Sequence, residues 1–246
     1  MRISKVSNPN NEKADELKGD ARDYAVSGIK AALGMIPFAG SLLSEIAGNV
    51  IPQQRVDRIA DFAERLEIRI SHLEEAAVRN EINDEEFTDL VEESLRQAAR
   101  STSPQRREYL AYLVANSLAK EAVEHSESRH LMNLLGELSD IEIIWLRFYL
   151  DATLGGDSEF REKHDHILAP VPAHRGSSQD ERDKSALQKS YKDHLERLGL
   201  ISGKVKTDKA KSPEFDASRG EFKRHSYQTT SLGRLLLRSI GLVEEN

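Results

Sequence analysis

The 246-residue sequence contains no cysteine, only seven prolines and few aromatic residues, which make up 6% of the chain. The lack of cysteine excludes disulfide frameworks, thiolate-ligated metal sites and cysteine nucleophiles, and it fits a reducing compartment. Charged residues account for 31% of the chain, and this composition favours exposed amphipathic helices over an all-β sandwich. We therefore expect a mainly α-helical protein that is long enough to bury a hydrophobic core.

The common motifs of catalysis and nucleotide binding are also missing. The sequence has no GxSxG nucleophile elbow, no GxxxxGK[ST] phosphate loop, no GxGxxG fingerprint and no HExxH zinc motif. His164, His166 and His174 lie among acidic residues, but the two-residue spacing of "HDH" is typical of a strand or a solvated loop. We predict no enzyme activity, no catalytic or metal site and no cofactor. A metal-dependent hydrolase that uses these histidines stays open as a third hypothesis.

One apolar run interrupts the otherwise charged sequence. Ala31 to Ser44 is a stretch of 14 uncharged residues, interrupted by Pro37, whereas a helix that spans a bilayer needs about 20 apolar residues. The run predicts a hairpin of two short helices, called here the apolar hairpin. Either it packs in a core or a subunit interface, or it inserts into a membrane after a conformational change. Its candidate residues are Gly34, Met35, Ile36, Pro37, Phe38, Gly40, Leu42, Leu43 and Ile46.

Heptad spacing and capping signals predict a series of helices in the first domain, residues 1–136. A long helix is predicted from alternating steps of four and three residues, and it packs within a bundle or against another copy of the chain. Asp84 and Ser103 are predicted N-caps of the next two helices. A shorter helix is expected from about Ser128 to Gly136. The heptad positions of the long helix are Ile59, Ala63, Leu66, Ile70, Leu73 and Ala77.

The second domain, residues 137–246, has the order of a winged-helix module. Ser139 and Glu142 form a predicted capping box, a long loop follows over residues 154–178, and Ser178 opens a helix that ends near Leu198. The segments LGLISGKVK and EFKRHSYQTT predict a two-stranded hairpin before a last helix. Predicted buried residues of the first two helices are Ile141, Ile144, Trp145, Phe148 and Tyr149, then Leu187, Tyr191, Leu195 and Leu198.

The hairpin connection, residues 204–224, is called here the wing, and it is basic. It contains seven lysines and arginines against four aspartates and glutamates, so it can contact a nucleic-acid backbone through counterion release. The preceding helix, Ser178–Leu198, contains five acidic and five basic residues, which disfavours insertion into a DNA groove. The candidate nucleic-acid-binding residues are Lys204, Lys206, Lys209, Lys211, Lys223 and Arg224.

Several stretches of the sequence are similar to one bacterial family. RREYLAYLVANSLA with LMNLLGELSDIEIIWLRFY, then LERLGLI, then YQTTSLGRLLLRSIG together resemble the C-terminal part of the Abi-alpha proteins, a group of bacterial abortive-infection proteins. The resemblance covers residues 84–242, and GMIPFAGSLLSEI is similar in character to the glycine-containing apolar stretch of that family. It implies phage defence through growth arrest or death of the infected cell. It assigns no catalytic residue.

The leading hypothesis is therefore a non-enzymatic phage-defence protein. In it the shielded apolar hairpin is released toward a membrane or a partner protein, and the chain associates with itself or with that partner. We expect a cytoplasmic location, because the N-terminal stretch lacks the apolar region of a signal peptide. Release of the apolar hairpin extends this expectation to the membrane periphery. A nucleic-acid-binding regulator that uses the basic wing is the alternative hypothesis.

Overall fold

The computed structural model describes residues 53–71, 73, 84–118, 124–153, 156–171, 173–174, 176–208, 211–217 and 220–243. The chain forms two compact units, Met1–Met132 and Asn133–Asn246. The apolar hairpin, residues 34–46, lies outside the described residues.

The described part of the chain is mainly helical, as predicted. Its nine α-helices are α1 Gln53–Ile70, α2 Glu85–Arg100, α3 Pro104–Asn116, α4 His125–Glu137, α5 Asp140–Phe148, α6 Ser158–Lys163, α7 Asp165–Leu168, α8 Gln179–Arg197 and α9 Ser231–Ser239. A 3₁₀ turn, Tyr149–Asp151, continues α5.

The predicted small antiparallel sheet near the C-terminus is also confirmed. Strand β1, Ile201–Val205, pairs with β4, Arg224–Thr229, and Ile201 lies opposite Thr229. A second pair of two-residue strands lies within the wing, β2 Phe215–Asp216 and β3 Glu221–Phe222.

In the first unit, α1 packs against both α2 and α3. The heptad positions from Ile59 to Ile70 are buried, and so is Phe62, which the heptad pattern omits. The prediction that the helix continues past Ile70 is wrong, because Leu73 lies in a bend. The Ser71 hydroxyl donates to the Ile68 carbonyl at 2.8 Å, and such a side-chain bond competes with continued helix formation.

The two predicted N-caps of the first unit are confirmed. The Asp84 carboxylate accepts from the Phe87 N–H at 2.9 Å, and the Ser103 hydroxyl accepts from the Arg106 N–H at 3.2 Å. Pro104 is the first residue of α3, where a missing N–H costs no helical hydrogen bond. The predicted start of α4 is wrong by three residues, since that helix begins at His125.

Helix α5 has the predicted capping box but buries only part of the predicted face: Trp145 is buried, whereas Ile144, Phe148 and Tyr149 are half-buried. Ile143 and Leu146 are buried, whereas Ile141 is 37% exposed. The segment DIEIIWLRF is apolar on almost every side, so its periodicity alone could not identify the face that packs against α8.

The region predicted as a long loop, residues 154–178, contains two short helices, α6 and α7. Asp157 caps α6 by accepting from the Phe160 N–H at 3.1 Å, and it also pairs with Arg147 at 2.6 Å. A cap of this kind orders a turn that has no sustained hydrophobic period.

Helix α8 begins after Ser178, as predicted, and Ser178 forms a capping box with Glu181, but of the predicted inward residues only Leu195 is buried. Leu187 is 53% exposed. The neighbouring Gln188 bonds instead to backbone groups, donating to the Ile167 and Ala169 carbonyls at 3.3 and 2.8 Å. This part of the helix is therefore positioned by polar contacts.

Helix α9 contacts β4 and lies against Leu200, in the turn between α8 and β1. Thr230 caps it, and Leu236 and Leu237 are buried. A Cβ at Gly233 would lie 2.2 Å from the Leu200 carbonyl oxygen. Only glycine permits this approach of the two backbones.

Candidate functional site

The base of the wing is fixed by close contact between β1 and β4. Gly203 lies opposite Tyr227. A Cβ at Gly203 would be 2.6 Å from the Arg224 Cδ and 2.8 Å from the Tyr227 Cε1. Glycine therefore lets two large side chains lie over the strand, and the pairing shifts register beyond Lys204.

Three segments of the wing are tied together by backbone hydrogen bonds. The Lys206 N–H donates to the Lys223 carbonyl at 2.7 Å, the Glu214 N–H to the Lys206 carbonyl at 2.9 Å, and the Lys223 N–H to the Glu214 carbonyl at 2.8 Å. Within the turn between them, the Asp208 carboxylate accepts from the Ser212 N–H at 2.9 Å. In its described residues, the wing is thus tied to the β1–β4 pair by backbone hydrogen bonds.

Two phenylalanines stand on this extension. Phe215 and Phe222 are register partners in the β2–β3 pair, so their side chains share one face. Their ring centroids are 5.4 Å apart at an interplanar angle of 77°, an edge-to-face geometry that aromatic pairs prefer. They are 54% and 52% exposed. Two adjacent aromatic side chains are therefore about half open to solvent.

The phenylalanines have charged neighbours of both signs, with Asp216 following Phe215 on β2 and Glu221 preceding Phe222 on β3. Lys206 and Lys223 both approach the Glu214 carboxylate, at 3.2 and 3.6 Å, so two cations share one anion. Lys204 and Lys211 are exposed, and within the described part of the chain their ammonium groups have no ion-pair partner.

The other two candidate residues of the wing are Arg224 and Lys209. The Arg224 guanidinium pairs with Glu196 of α8, and this contact holds it at the base of the wing. Lys209 lies outside the described residues.

An aromatic cluster supports the sheet below the wing. Trp145 contacts Phe148 edge-to-face at 5.6 Å, Tyr149 contacts Tyr227 at 5.9 Å, and the Lys192 ammonium lies 4.9 Å from the centre of the Tyr227 ring. Burial, with a smaller effect of Tyr227, raises the pKa of the Tyr149 phenol above its ordinary value. Tyr149 therefore stays neutral and acts as a packing residue.

A buried carboxylate joins α5 to α8. Glu142 is 6% exposed, and its Oε2 accepts from the Ser139 N–H at 2.7 Å while its Oε1 lies 2.6 Å from the His194 Nδ1. Burial opposes ionisation, but the hydrogen bonds from Ser139 and His194 outweigh it and hold the pKa of Glu142 below its ordinary value. The ionised carboxylate of Glu142 therefore links α5 to α8 through its contact with His194.

The three loop histidines are not brought together as a metal site. The His164 ring contacts the Phe160 ring in a tilted arrangement, with centroids 4.6 Å apart, and the His174 Nδ1 accepts from the Gly176 N–H at 3.2 Å. Burial lowers the pKa of His164, and Lys163 and His166 add to this effect. Across the described ranges, no group of three or more histidine, aspartate or glutamate side chains is placed to hold a metal ion.

No helix in the described part of the chain has both the length and the hydrophobicity that a membrane crossing requires.

The sequence alone does not predict the aromatic pair. Phe215 and Phe222 are isolated apolar residues in a polar stretch, EFD and EFKR, so no periodic pattern marks them. Their positions on each side of a short turn are the only available signal. Comparisons with protein-family models, with curated proteins and with solved structures give no match to this chain.

Proposed function

We propose that this chain is a non-enzymatic bacterial phage-defence protein of the abortive-infection type, which acts by contacting a partner protein or a membrane. The support from sequence is the resemblance of residues 84–242 to the Abi-alpha family. In the second unit, the resembling segments contain core side chains, among them Trp145, Leu195 and Leu236. The likeness therefore concerns residues on which the fold depends.

We further propose that the second unit is a winged-helix module. Its support is the order of α5, α8, β1, the wing, β4 and α9. Gly199, with φ 72°, ends α8, and the Leu200 N–H returns to the Leu195 carbonyl at 3.0 Å. This left-handed glycine turn directs the chain from the helix into the first strand of the sheet.

The observation that carries the binding role is the exposed pair Phe215 and Phe222 on the wing. Isolated apolar residues are common on protein surfaces, but paired aromatic rings beside cationic groups are typical of contact surfaces. The backbone bonds at Glu214 position the strand that bears Phe215. Half-exposed aromatic rings contribute less to the stability of the isolated chain than buried ones do, so we assign the pair to binding.

A phage challenge tests the proposed defence role. Bacteria that express the chain should reduce phage bursts and should stop growing or die at high phage multiplicity. Leu43→Asp places a charge in the apolar hairpin and should remove protection, while Leu187→Ala, which shortens an exposed side chain on α8, should retain it. Unchanged phage yield and unchanged growth after infection across a broad phage panel would contradict the proposal.

Liposome leakage tests the membrane branch of this proposal separately. The wild-type chain, with cell extract from infected bacteria as the source of a trigger, should release an entrapped dye. Leu43→Asp should release much less, because a charged side chain disfavours insertion into the apolar part of a bilayer. Protection without leakage would leave the partner-protein branch.

The second candidate function is a nucleic-acid-binding regulator. Lys204 and Lys211 favour it, because their ammonium groups are exposed and have no ion-pair partner among the described residues. Alanine substitution of the four lysines Lys204, Lys206, Lys209 and Lys211 should weaken binding, and affinity should fall steeply with salt. Absent or salt-insensitive binding would contradict this candidate.

A further inference from the structure

We propose that the wing binds single-stranded nucleic acid, with unpaired bases stacked on Phe215 and Phe222 and phosphates held by the neighbouring lysines. This inference rests on the second candidate function and names its ligand class and binding mode. It assigns a role to the aromatic pair that phosphate binding alone does not require.

The geometry of the two rings suits stacking. Phe215 and Phe222 occupy directly opposed positions on neighbouring strands, and about half of each side chain is accessible. Aromatic residues on adjacent strands of a sheet are a common surface for bases, because every base has a π-face. Each ring already contacts the other in the free chain, which reduces the side-chain freedom that is lost on binding.

The charge distribution suits a phosphate backbone beside that surface. Glu214 faces Lys206 and Lys223 together, and Lys204 and Lys211 add two exposed ammonium groups. The segment also contains Asp208, Asp216 and Glu221, so over residues 204–224 the seven basic side chains exceed the four acidic ones by three. This excess corresponds to the neutralisation of about three phosphates, with release of their counterions.

A lipid surface fits the wing less well. The chain between the phenylalanines, DASRGE, is polar and has charged residues at both of its ends. Insertion of the rings into a bilayer would bring their charged neighbours Asp216 and Glu221 toward its apolar part, and burial of those charges is costly. A contact made by the face of the wing avoids that cost.

A duplex also fits less well than a single strand. Its base faces are covered by stacking and are closed to the phenylalanines. The adjacent helix α8 has equal numbers of acidic and basic side chains between Ser178 and Leu198, so it adds no strong attraction for a duplex groove. Stacking on the wing therefore selects unpaired bases.

Fluorescence anisotropy with the full chain tests the ligand class. The probes are a fluorescein-labelled 15-mer DNA of mixed sequence, the RNA of the same sequence and the corresponding DNA duplex. We expect single strands to bind at least tenfold more tightly than the duplex. The logarithm of the binding constant should fall with the logarithm of the salt concentration with a slope of about −2, from about 0.7 per phosphate. Equal affinity for duplex and single strand, or no oligonucleotide binding, would overturn the proposal.

Paired substitutions test the stacking mode. Phe215→Tyr with Phe222→Tyr retains aromatic faces and should bind within threefold of wild type. Phe215→Leu with Phe222→Leu retains apolar surface without π-faces and should lose at least about tenfold, which is within the range of base–aromatic stacking. Leu187→Ala, at a similarly exposed apolar position, is the control. Thermal melts confirm that each variant is folded.

Two outcomes distinguish stacking from general apolar contact. If the leucine variant binds oligonucleotides as tightly as the tyrosine variant, stacking is wrong. If the chain binds phosphatidylglycerol vesicles and no oligonucleotide, a lipid surface replaces the proposed ligand. Phage protection by a wild-type chain that binds no oligonucleotide would overturn this inference and leave the proposed defence function in place.

Discussion

Glu142 combines two structural tasks in one side chain. Its Oε2 completes the capping box of α5 with Ser139, and its Oε1 meets His194 of α8. Ser178 and Glu181 form a second capping box of the same type at the start of α8, but that box is exposed. The chain thus contains a buried capping box at Ser139 and Glu142 and an exposed one at Ser178 and Glu181. The difference in unfolding free energy between substitutions at Glu142 and at Glu181 measures the combined effect of burial and of His194.

Glu142→Gln should destabilise the second unit by about 1–2 kcal/mol at pH 7, because a buried charge-assisted hydrogen bond is lost. The folded pKa of Glu142 lies below its ordinary value of 4.5, so its stabilising effect is present above that value. The effect is lost as the pH falls through the folded pKa. Urea unfolding followed by Trp145 fluorescence should therefore show a difference between variant and wild type that shrinks below pH 4.5.

Glu181→Gln is the matched control for this prediction. It alters the exposed capping box without a histidine partner, and we expect a loss of only a few tenths of a kcal/mol. Equal losses at Glu142 and Glu181, or a difference at Glu142 that grows as the pH falls, would contradict the role given to the buried carboxylate.

Helices α1 and α3 are joined by an ion-pair network along their contact. Asp61 of α1 pairs with Arg107 of α3 and with Arg65, the latter at 2.9 Å, and Glu108 of α3 pairs with Arg65 and Arg69. Burial opposes ionisation of Asp61 and Glu108, but hydrogen bonds from the arginines hold both pKa values below their ordinary range. The network therefore fixes how two helices meet beside their hydrophobic contacts.

A double-mutant cycle on Asp61→Asn and Arg107→Met should give a coupling energy of about 1 kcal/mol or more. The reason is that Arg107 has a side chain only 10% exposed, where water screens the charge little. Because the pKa of Asp61 is lowered in the folded state, the coupling should be present at pH 7 and should fall in acid. The coupling energy is measured by urea unfolding of the wild type, the two single variants and the double variant.

The control cycle uses Asp89 and Arg129, which pair at 3.0 Å with both side chains 47% exposed. Their coupling should stay below about 0.5 kcal/mol and should decrease with salt. If the coupling energy of the exposed pair is as large as that of Asp61 and Arg107, then the location of an ion pair in the α1–α3 contact does not determine its coupling energy.

At the scale of the whole molecule, the parts that could be predicted from sequence are those with local physical signals. Asp84, Ser103 and Ser178 mark helix starts because a cap acts within three residues of itself. The antiparallel sheet follows from two short β-prone segments. These signals do not depend on what the element packs against.

The parts that could not be predicted depend on tertiary contacts. Leu187 has the spacing of a core residue yet is exposed, while Ile143 is buried although the apolar pattern of α5 pointed to Ile141. The charge of the wing was visible in the sequence. The sharing of Glu214 by two lysines and the meeting of Phe215 with Phe222 require strand register, which a single sequence leaves open.

Helix α4, His125–Glu137, contains residues of both compact units, since the division falls between Met132 and Asn133. Leu131 and Met132, which belong to the first unit, are buried, and so are Leu134 and Leu135, which belong to the second unit. The stability of each unit should therefore depend on this one helix.

Asn133→Pro should destabilise both units by about 3 kcal/mol or more, because proline removes a helical hydrogen bond and clashes with the preceding turn. Asn133 is exposed, so the effect acts through the helix backbone and no core side chain is changed. Trp145 fluorescence during urea unfolding reports on the second unit, and amide hydrogen exchange in α2 and α3 reports on the first. Asn133→Ala, with a better helix former at the same position, should leave both measurements unchanged or slightly stabilised. Faster exchange in α2 and α3 without any change in the Trp145 transition would show that only the first unit depends on α4.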